Sequence, residues 1–134
     1  MDGYTFSCPI QVRWRDLDAF RHVNNATFAS YLEMARTEVW LELFGGREAM
    51  DIPFFVIRLE IDYKRPINLY DGVVVWLRVG EIRGASFDFE FAVEASGKLA
   101  AEATTVLASV DNRTGRPVKM PPDVRSRLES LEVR

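Results

Sequence analysis

The residues with chemical potential gather in one short polar segment, residues 14–25. It gathers two acids, the only histidine and two asparagines: Asp16, Asp18, His22, Asn24 and Asn25. The segment runs straight into a helical pattern, and a helix start offers unpaired backbone N–H groups with a partial positive charge. Acyl transfer needs two parts, and a carboxylate beside a helix start provides both. The carboxylate is the nucleophile or base, and the N–H groups of the helix start stabilise the carbonyl oxygen. The same residues can also serve only as turn and cap residues.

The elements that hold this segment follow from the spacing of apolar residues. Residues 11–14 alternate and predict a first strand. Over 26–44 apolar residues recur at three- and four-residue steps, which predicts a helix capped by Asn24 or Asn25 and ended by Gly45–Gly46. With about 19 residues this helix is about 28 Å long. Its apolar face is wide, so a curled sheet or a second copy of the chain must cover it.

After the helix the spacing changes to two, which predicts strands. Four of them are expected, over residues 55–63, 73–79, 87–94 and 99–110, before a short terminal helix over 123–131. The connections are too short for crossover helices, so the sheet is predicted to be antiparallel. The chain is therefore expected to form one α+β domain over residues 1–134.

Composition narrows the classes of function. Seventeen Lys and Arg against twenty Asp and Glu give a net charge of −3, which argues against nucleic acid as the main ligand. Cys8 is the only cysteine, so no internal disulfide forms, and a single histidine rules out a His-based zinc site. The acid-rich run lacks the spacing of a calcium loop, so no metal is expected.

We expect no signal peptide at the start of the chain. Residues 1–9 lack a basic start followed by an apolar run, and no apolar stretch approaches the roughly 20 residues of a membrane helix. We expect a reduced, cytoplasmic protein with no membrane partner.

An ordered set of motifs covers residues 8–112. Asp16-Leu17-Asp18 precedes His22-Val23-Asn24-Asn25, and the helix continues with an aromatic and acidic pattern: Phe28, Tyr31, Glu33, Ala35 and Arg36. Three later segments complete the set: Asp62–Pro66, Leu69–Gly72 and Arg83–Phe87. In this order the motifs strongly resemble the 4-hydroxybenzoyl-CoA thioesterase family of hotdog-fold acyl-CoA thioesterases.

The resemblance implies a fold, an activity and an assembly. The hotdog fold is an antiparallel β-sheet wrapped around one long central helix, and it matches the element order predicted above. The implied activity is hydrolysis of an acyl-CoA thioester to free acid and CoA without a cofactor. Members assemble as homodimers or homotetramers with sites between protomers, so a homo-oligomer is expected here.

The resemblance also assigns roles within the polar segment. The family's catalytic carboxylate falls on Asp18, acting as nucleophile or general base, two routes that the residues do not separate. The backbone N–H of Asn25 is implied as the donor that polarises the thioester carbonyl. His22 is expected to position Asp18, to contact substrate or to act as an acid toward the leaving thiolate, and Asp16 to support the loop.

Contacts to CoA are expected from outside this segment as well. Arg83 is expected to meet a phosphate and Ser86 to bond the pantetheine chain. Within the segment, Asn24 is expected to contact substrate. Other basic candidates for the phosphates are Arg58, Lys64 and Arg65. In the helix, Glu33 is expected to form a salt bridge with Arg36 three residues later, and it is a minor candidate for catalysis.

Three other functions stay open at this point. The substrate can be an acyl-carrier-protein thioester, although no basic docking patch is evident. The chain can also be a non-catalytic acyl-CoA-binding sensor on the same fold, or a hotdog dehydratase with a different arrangement of His and acid. Asp18 favours an enzyme, because a sensor has no need for a carboxylate at the reacting carbon.

Overall fold

A computed structural model describes residues 1–45, 54–111 and 113–131. The elements are β1 (Phe6–Ile10), a 3-10 turn (Trp14–Asp16), α1 (Asn25–Phe44), β2 (Phe54–Tyr63), β3 (Val73–Ile82), β4 (Ser86–Ala95), β5 (Lys98–Ser109) and α2 (Pro122–Glu129). This order confirms the predicted succession of one strand, a long helix, four strands and a short terminal helix.

The five strands form one antiparallel sheet in the order β1-β3-β4-β5-β2. Its buried face carries alternate residues of β3 and β4, of which Phe87, Phe89 and Phe91 on β4 are at most 1% exposed. These rings form the core together with the apolar face of α1, which buries Phe28, Tyr31, Leu32, Ala35, Val39 and Trp40. The α+β architecture with a sheet around one long helix is thus confirmed.

The first strand lies earlier than predicted. The alternation at residues 11–14 indicated a strand after Pro9, but β1 covers Phe6–Ile10 and includes that proline. Among the described strands, β1 pairs only with β3, where Pro9 lies opposite Val74. A proline lacks a backbone N–H, and an edge strand tolerates it because one side of the strand needs no partner.

Both ends of α1 follow the rules for helix caps. Asn24 is the N-cap, and its side-chain oxygen accepts the Ala26 N–H at 2.9 Å. Gly45 ends the helix with a φ of 62°, which a residue without a side chain adopts readily. Gly46, the other half of the predicted stop, lies outside the described residues. None of the helices within the described ranges is long and apolar enough to cross a membrane.

Candidate active site

A tight loop between the 3-10 turn and α1 presents Asp18. The loop is closed by a bridge between Leu17 and Val23, and the Asp18 N–H donates to the His22 carbonyl at 2.8 Å. Arg21 closes the turn in a left-handed conformation, with a φ of 63°, and its N–H donates to the Asp18 carbonyl at 3.0 Å. The backbone of Asp18 is therefore fixed on both of its polar groups.

The carboxylate of Asp18 is held through one oxygen only. Oδ1 accepts the backbone N–H groups of Phe20 at 2.8 Å and His22 at 3.2 Å. Oδ2 accepts no hydrogen bond from any residue that the structure describes. One oxygen thus orients the group, and the other is left for chemistry.

Asp16 is buried below the loop and fully engaged. It is 2% exposed, and its oxygens accept the Tyr31 hydroxyl at 2.7 Å, the Arg13 N–H at 2.9 Å and the Arg13 guanidinium at 3.0 Å. Burial alone would raise the pKa of Asp16, but these hydrogen bonds and the Arg13 charge outweigh it and lower that pKa. The same burial and the hydrogen bond to Asp16 raise the pKa of Tyr31. As expected, Asp16 supports the loop.

Asp16→Asn should cost about 1–3 kcal/mol of folding free energy at pH 7, because a buried network loses its charged acceptor. Since folding lowers the pKa of Asp16, its contribution is complete above the unfolded value near pH 4 and is lost as the pH falls through the folded value. Urea unfolding at several pH values checks this. A stability difference from wild type that persists unchanged at pH 3 would contradict the assignment.

The start of α1 offers a free donor next to this loop. The Asn24 N–H donates to the Asp16 carbonyl at 2.8 Å, which ties the N-cap to the loop. The following N–H, that of Asn25, meets no acceptor among the described residues. An unpaired N–H in the first turn of a helix is a natural partner for an anionic oxygen.

Asp18, His22 and Asn25 line one cleft of about 280 Å³. Phe28 and Tyr63 line it as well, and so do the consecutive basic residues Lys64 and Arg65. The His22 imidazole forms no hydrogen bond within the described part of the chain, so it remains available in the cleft. The structure therefore brings together the three residues predicted to carry the chemistry.

Arg83 and Ser86 lie elsewhere in the chain. They belong to the β3–β4 turn, and Ser86 pairs with Ala108 on β5, whereas the cleft residue Tyr63 pairs with Ala101. Seven residues of strand separate these two positions on β5, which is about 23 Å at the usual rise. Within one chain, the turn and the cleft are thus at opposite ends of the sheet.

Arg83 is also already paired with acids. Its two terminal nitrogens donate to the two oxygens of Asp88, each at 2.9 Å, and one of them also donates to Glu81 at 3.2 Å. The hydrogen bonds to Asp88, and the charges of both acids, raise the pKa of Arg83. The roles of Arg83, Ser86 and Asn24 toward substrate stay predictions.

The salt bridge expected between Glu33 and Arg36 is absent: no nitrogen–oxygen distance of 4.0 Å or less joins the two among the described contacts. Burial lowers the pKa of Arg36, and the Glu33 charge opposes this from a greater distance. Helical spacing made the pair possible, but the partly buried Arg36 side chain is not directed to Glu33. Glu33 does not line the cleft.

Sequence reasoning missed Tyr63. Its hydroxyl donates to the Asn25 carbonyl at 2.8 Å, and its ring meets Phe28 edge to face at 5.0 Å. The available signal was its place as the last residue of an alternating strand, directly before the basic pair Lys64 and Arg65.

Comparison with known proteins gives a consistent result. The model of the thioesterase-like superfamily matches residues 12–128. Long-chain acyl-CoA thioesterase FadM of Escherichia coli is 29% identical over 126 residues, covering 91% of this chain and 96% of that protein. Acyl-CoA thioesterase YbgC of Haemophilus influenzae is 30% identical over 131 residues, covering 95% and 96%.

Solved structures agree with these sequence matches. A thioesterase from Thermus thermophilus, crystallised with coenzyme A and Zn, has a TM-score of 0.90 and 38% identity, covering 100% of this chain and 98% of that one. A predicted thioesterase from Bacillus stearothermophilus has a TM-score of 0.84 and 26% identity, covering 95% and 96%. With the sheet around α1, these matches show that the chain belongs to the thioesterase-like superfamily of hotdog-fold acyl-CoA thioesterases.

Proposed function

We propose that this thioester hydrolase cleaves acyl-CoA with Asp18 as nucleophile or general base and the Asn25 N–H as donor to the thioester carbonyl oxygen. One observation carries the proposal. The Asp18 carboxylate with an unengaged Oδ2, and an N–H without an acceptor, line the same cleft. A cytoplasmic location remains a prediction.

Asp18 can act as a general base or as a nucleophile, and in both routes water is the only co-reactant. As a base, Asp18 takes a proton from water while the water oxygen attacks the carbonyl carbon. As a nucleophile, Asp18 attacks that carbon itself, and water then hydrolyses the mixed anhydride. In both, negative charge develops on the carbonyl oxygen, where the Asn25 N–H and the start of α1 stabilise it. In both routes the C–S bond breaks when this oxyanion collapses, which in the nucleophilic route forms the mixed anhydride before water hydrolyses it, and the thiolate takes up a proton.

His22 and Asn24 complete the proposed site. The His22 backbone N–H orients Oδ1 of Asp18, and its free imidazole lies in the same cleft, where it can protonate the leaving thiolate. Among the described residues, the Asn24 side chain forms one hydrogen bond, through Oδ1, so its amide NH₂ is left for substrate.

The function is tested with a panel of acyl-CoA thioesters of different chain length and ring content, assayed beside acyl-carrier-protein thioesters. Turnover of at least one acyl-CoA is expected. Binding of acyl-CoA without any turnover would favour the sensor instead. A single turnover in ¹⁸O-water then tests the nucleophilic route, because label enters Asp18 when water attacks the Asp18 carbon of a mixed anhydride and never when Asp18 acts only as a base.

We also propose that the chain assembles through β2 as a dimer, or as a tetramer of two dimers. β2 is an edge of the sheet, so one row of its backbone groups has no strand partner among the described residues. Its large apolar side chains are unusually exposed, at 52% for Phe55, 62% for Ile57 and 42% for Leu59. A long apolar edge strand in a soluble domain calls for a covering partner, and a second β2 is complementary to it.

An antiparallel pairing of two β2 edges brings Arg83 and Ser86 of one protomer toward the cleft of its partner. Such a pairing reverses the strand, so the Phe54 end of one protomer lies beside the Tyr63 end of its partner. The Phe54 end is also the end that carries the β3–β4 turn, because Phe54 pairs with Ser109 and Ser86 with the adjacent Ala108. Arg83 and Ser86 can then reach the cleft of the partner protomer. This supports sites between protomers.

Removing Arg83 should raise KM for acyl-CoA about tenfold with little change in kcat, the effect of one lost charge-assisted contact in binding. The variant Arg83→Ala/Asp88→Asn is used, because Asp88 is 9% exposed and would otherwise keep an unpaired buried charge. KM for a truncated thioester without the nucleotide should not change. Arg116→Ala, an exposed arginine, is the control.

Two further variants sharpen this result. Lys64→Ala/Arg65→Ala tests the basic pair that lines the cleft, and a selective rise in KM there, but not at Arg83, would move the phosphate contact to that pair. Mixed dimers of the Arg83 variant with Asp18→Asn contain one intact site if sites lie between protomers. Equal mixing should then recover about a quarter of the wild-type kcat/KM, against about one-twentieth if each site lies within one chain.

A further inference from the structure

Tyr63 joins the end of the edge strand β2 to the first residue of α1. Its hydroxyl donates to the Asn25 carbonyl at 2.8 Å across 38 positions of sequence. Its ring packs edge to face on Phe28, one turn further along α1, with centroids 5.0 Å apart at 85°. The backbone of Tyr63 is itself paired with Ala101 on β5. The hydroxyl thus connects a fixed point of the sheet to the helix start.

The residue that receives this hydrogen bond is the one with the free N–H. On its N-terminal side, the helix start is tied to the loop, because the Asn24 N–H donates to the Asp16 carbonyl. On its C-terminal side, the Asn25 carbonyl is held by Tyr63. Asn25 is therefore held from the loop and from the sheet, and the direction of its N–H depends on both.

We propose that Tyr63 is a positioning residue for the reaction: through the Asn25 carbonyl it aims the Asn25 N–H at the thioester oxygen. This inference rests on the proposed function of Asn25. Because β2 is an edge strand of the described sheet, Tyr63 also links the position of the proposed dimer edge to the geometry of the site.

Two other roles for Tyr63 give different results. If the Tyr63 ring only packs on Phe28, a phenylalanine at this position should leave kcat and KM unchanged. A hydroxyl that contacts substrate contributes to binding and changes KM. Positioning of a transition-state donor changes kcat, because a small displacement of such a donor weakens stabilisation of the developing charge.

The test is Tyr63→Phe, which keeps the ring and removes only the hydroxyl. We expect kcat to fall about 5- to 20-fold, with KM and the pH profile of kcat unchanged, since a donor to the oxyanion is displaced without loss of a titrating group. The melting temperature should stay close to wild type. Amide hydrogen exchange in the first turn of α1 should become faster, because the tie to the sheet is gone.

Tyr70→Phe is the matched control. Tyr70 is 94% exposed and its hydroxyl has no hydrogen-bond partner in the described residues, so wild-type kcat and exchange are expected. An unchanged kcat in Tyr63→Phe, a rise in KM alone, or a shifted pH profile would each overturn the proposal. If the wild type hydrolyses no thioester, the proposed function fails, and unchanged exchange in Tyr63→Phe would separately overturn the tie to α1.

Discussion

Asp18→Asn should lower kcat for the best acyl-CoA substrate by about two to four orders of magnitude, the range for losing a positioned proton-transfer or nucleophilic group. The substitution is structurally mild because the two oxygens of Asp18 differ. The amide keeps an oxygen in the place of Oδ1, where Phe20 and His22 donate, and puts its NH₂ in the place of Oδ2, which no described donor contacts. Fold, assembly and thioester binding should therefore survive.

Asp16→Asn is the comparison within the same pair of acids. Asp16 does not line the cleft and acts through Arg13 and Tyr31, so its loss should reduce stability and lower kcat of the folded protein much less. Steady-state kinetics and a CoA binding assay on both variants measure the difference. The roles are reversed if Asp16→Asn loses turnover and Asp18→Asn keeps it. Near-normal turnover in both would show that the mechanism is wrong.

The spacing of apolar residues and the cap residues predicted most of the fold, because both depend on interactions within one strand or helix. The alternation of Phe87, Phe89 and Phe91 with acids marks a strand with one apolar face, and this strand became the centre of the sheet. The stretch before α1 was recognisable because a cap residue and a helical period coincide there. β1 was misplaced because a proline in a strand is acceptable only at an edge, and edge position depends on the whole sheet.

The candidate site was only partly predictable, for a related reason. Asp18, His22 and Asn25 lie within eight consecutive residues, so one loop brings them together. Tyr63 reaches Asn25 only through the register of β2 on β5, which no periodicity reveals. The distance between Arg83 and the cleft likewise follows from the strand register. In the proposed assembly, Arg83 reaches the cleft of a second protomer, which no pattern in one chain reveals.

A charge in the middle of the β2 edge should dissociate the assembly and abolish most of the activity. Ile57→Asp places an acid where two copies of β2 would meet, and like charges facing each other across a two-fold axis repel. The Ile57 side chain is 62% exposed within the chain, so the protomer itself should lose little stability. We expect a monomer of 15.4 kDa by light scattering, with kcat/KM reduced about 100-fold or more.

Met34→Asp controls for the general effect of a new acid on an exposed apolar residue. Met34 is 50% exposed and belongs to α1 rather than to β2, and this variant should remain at least dimeric and active. A dimeric Ile57→Asp would show that another surface forms the interface, and a fully active monomer would show that each chain holds a complete site. Activity and assembly are expected to fall together. Asp18 and Arg83 lie toward opposite ends of one sheet, and in the proposed dimer the reversed β2 of the partner would bring an Arg83 to each Asp18.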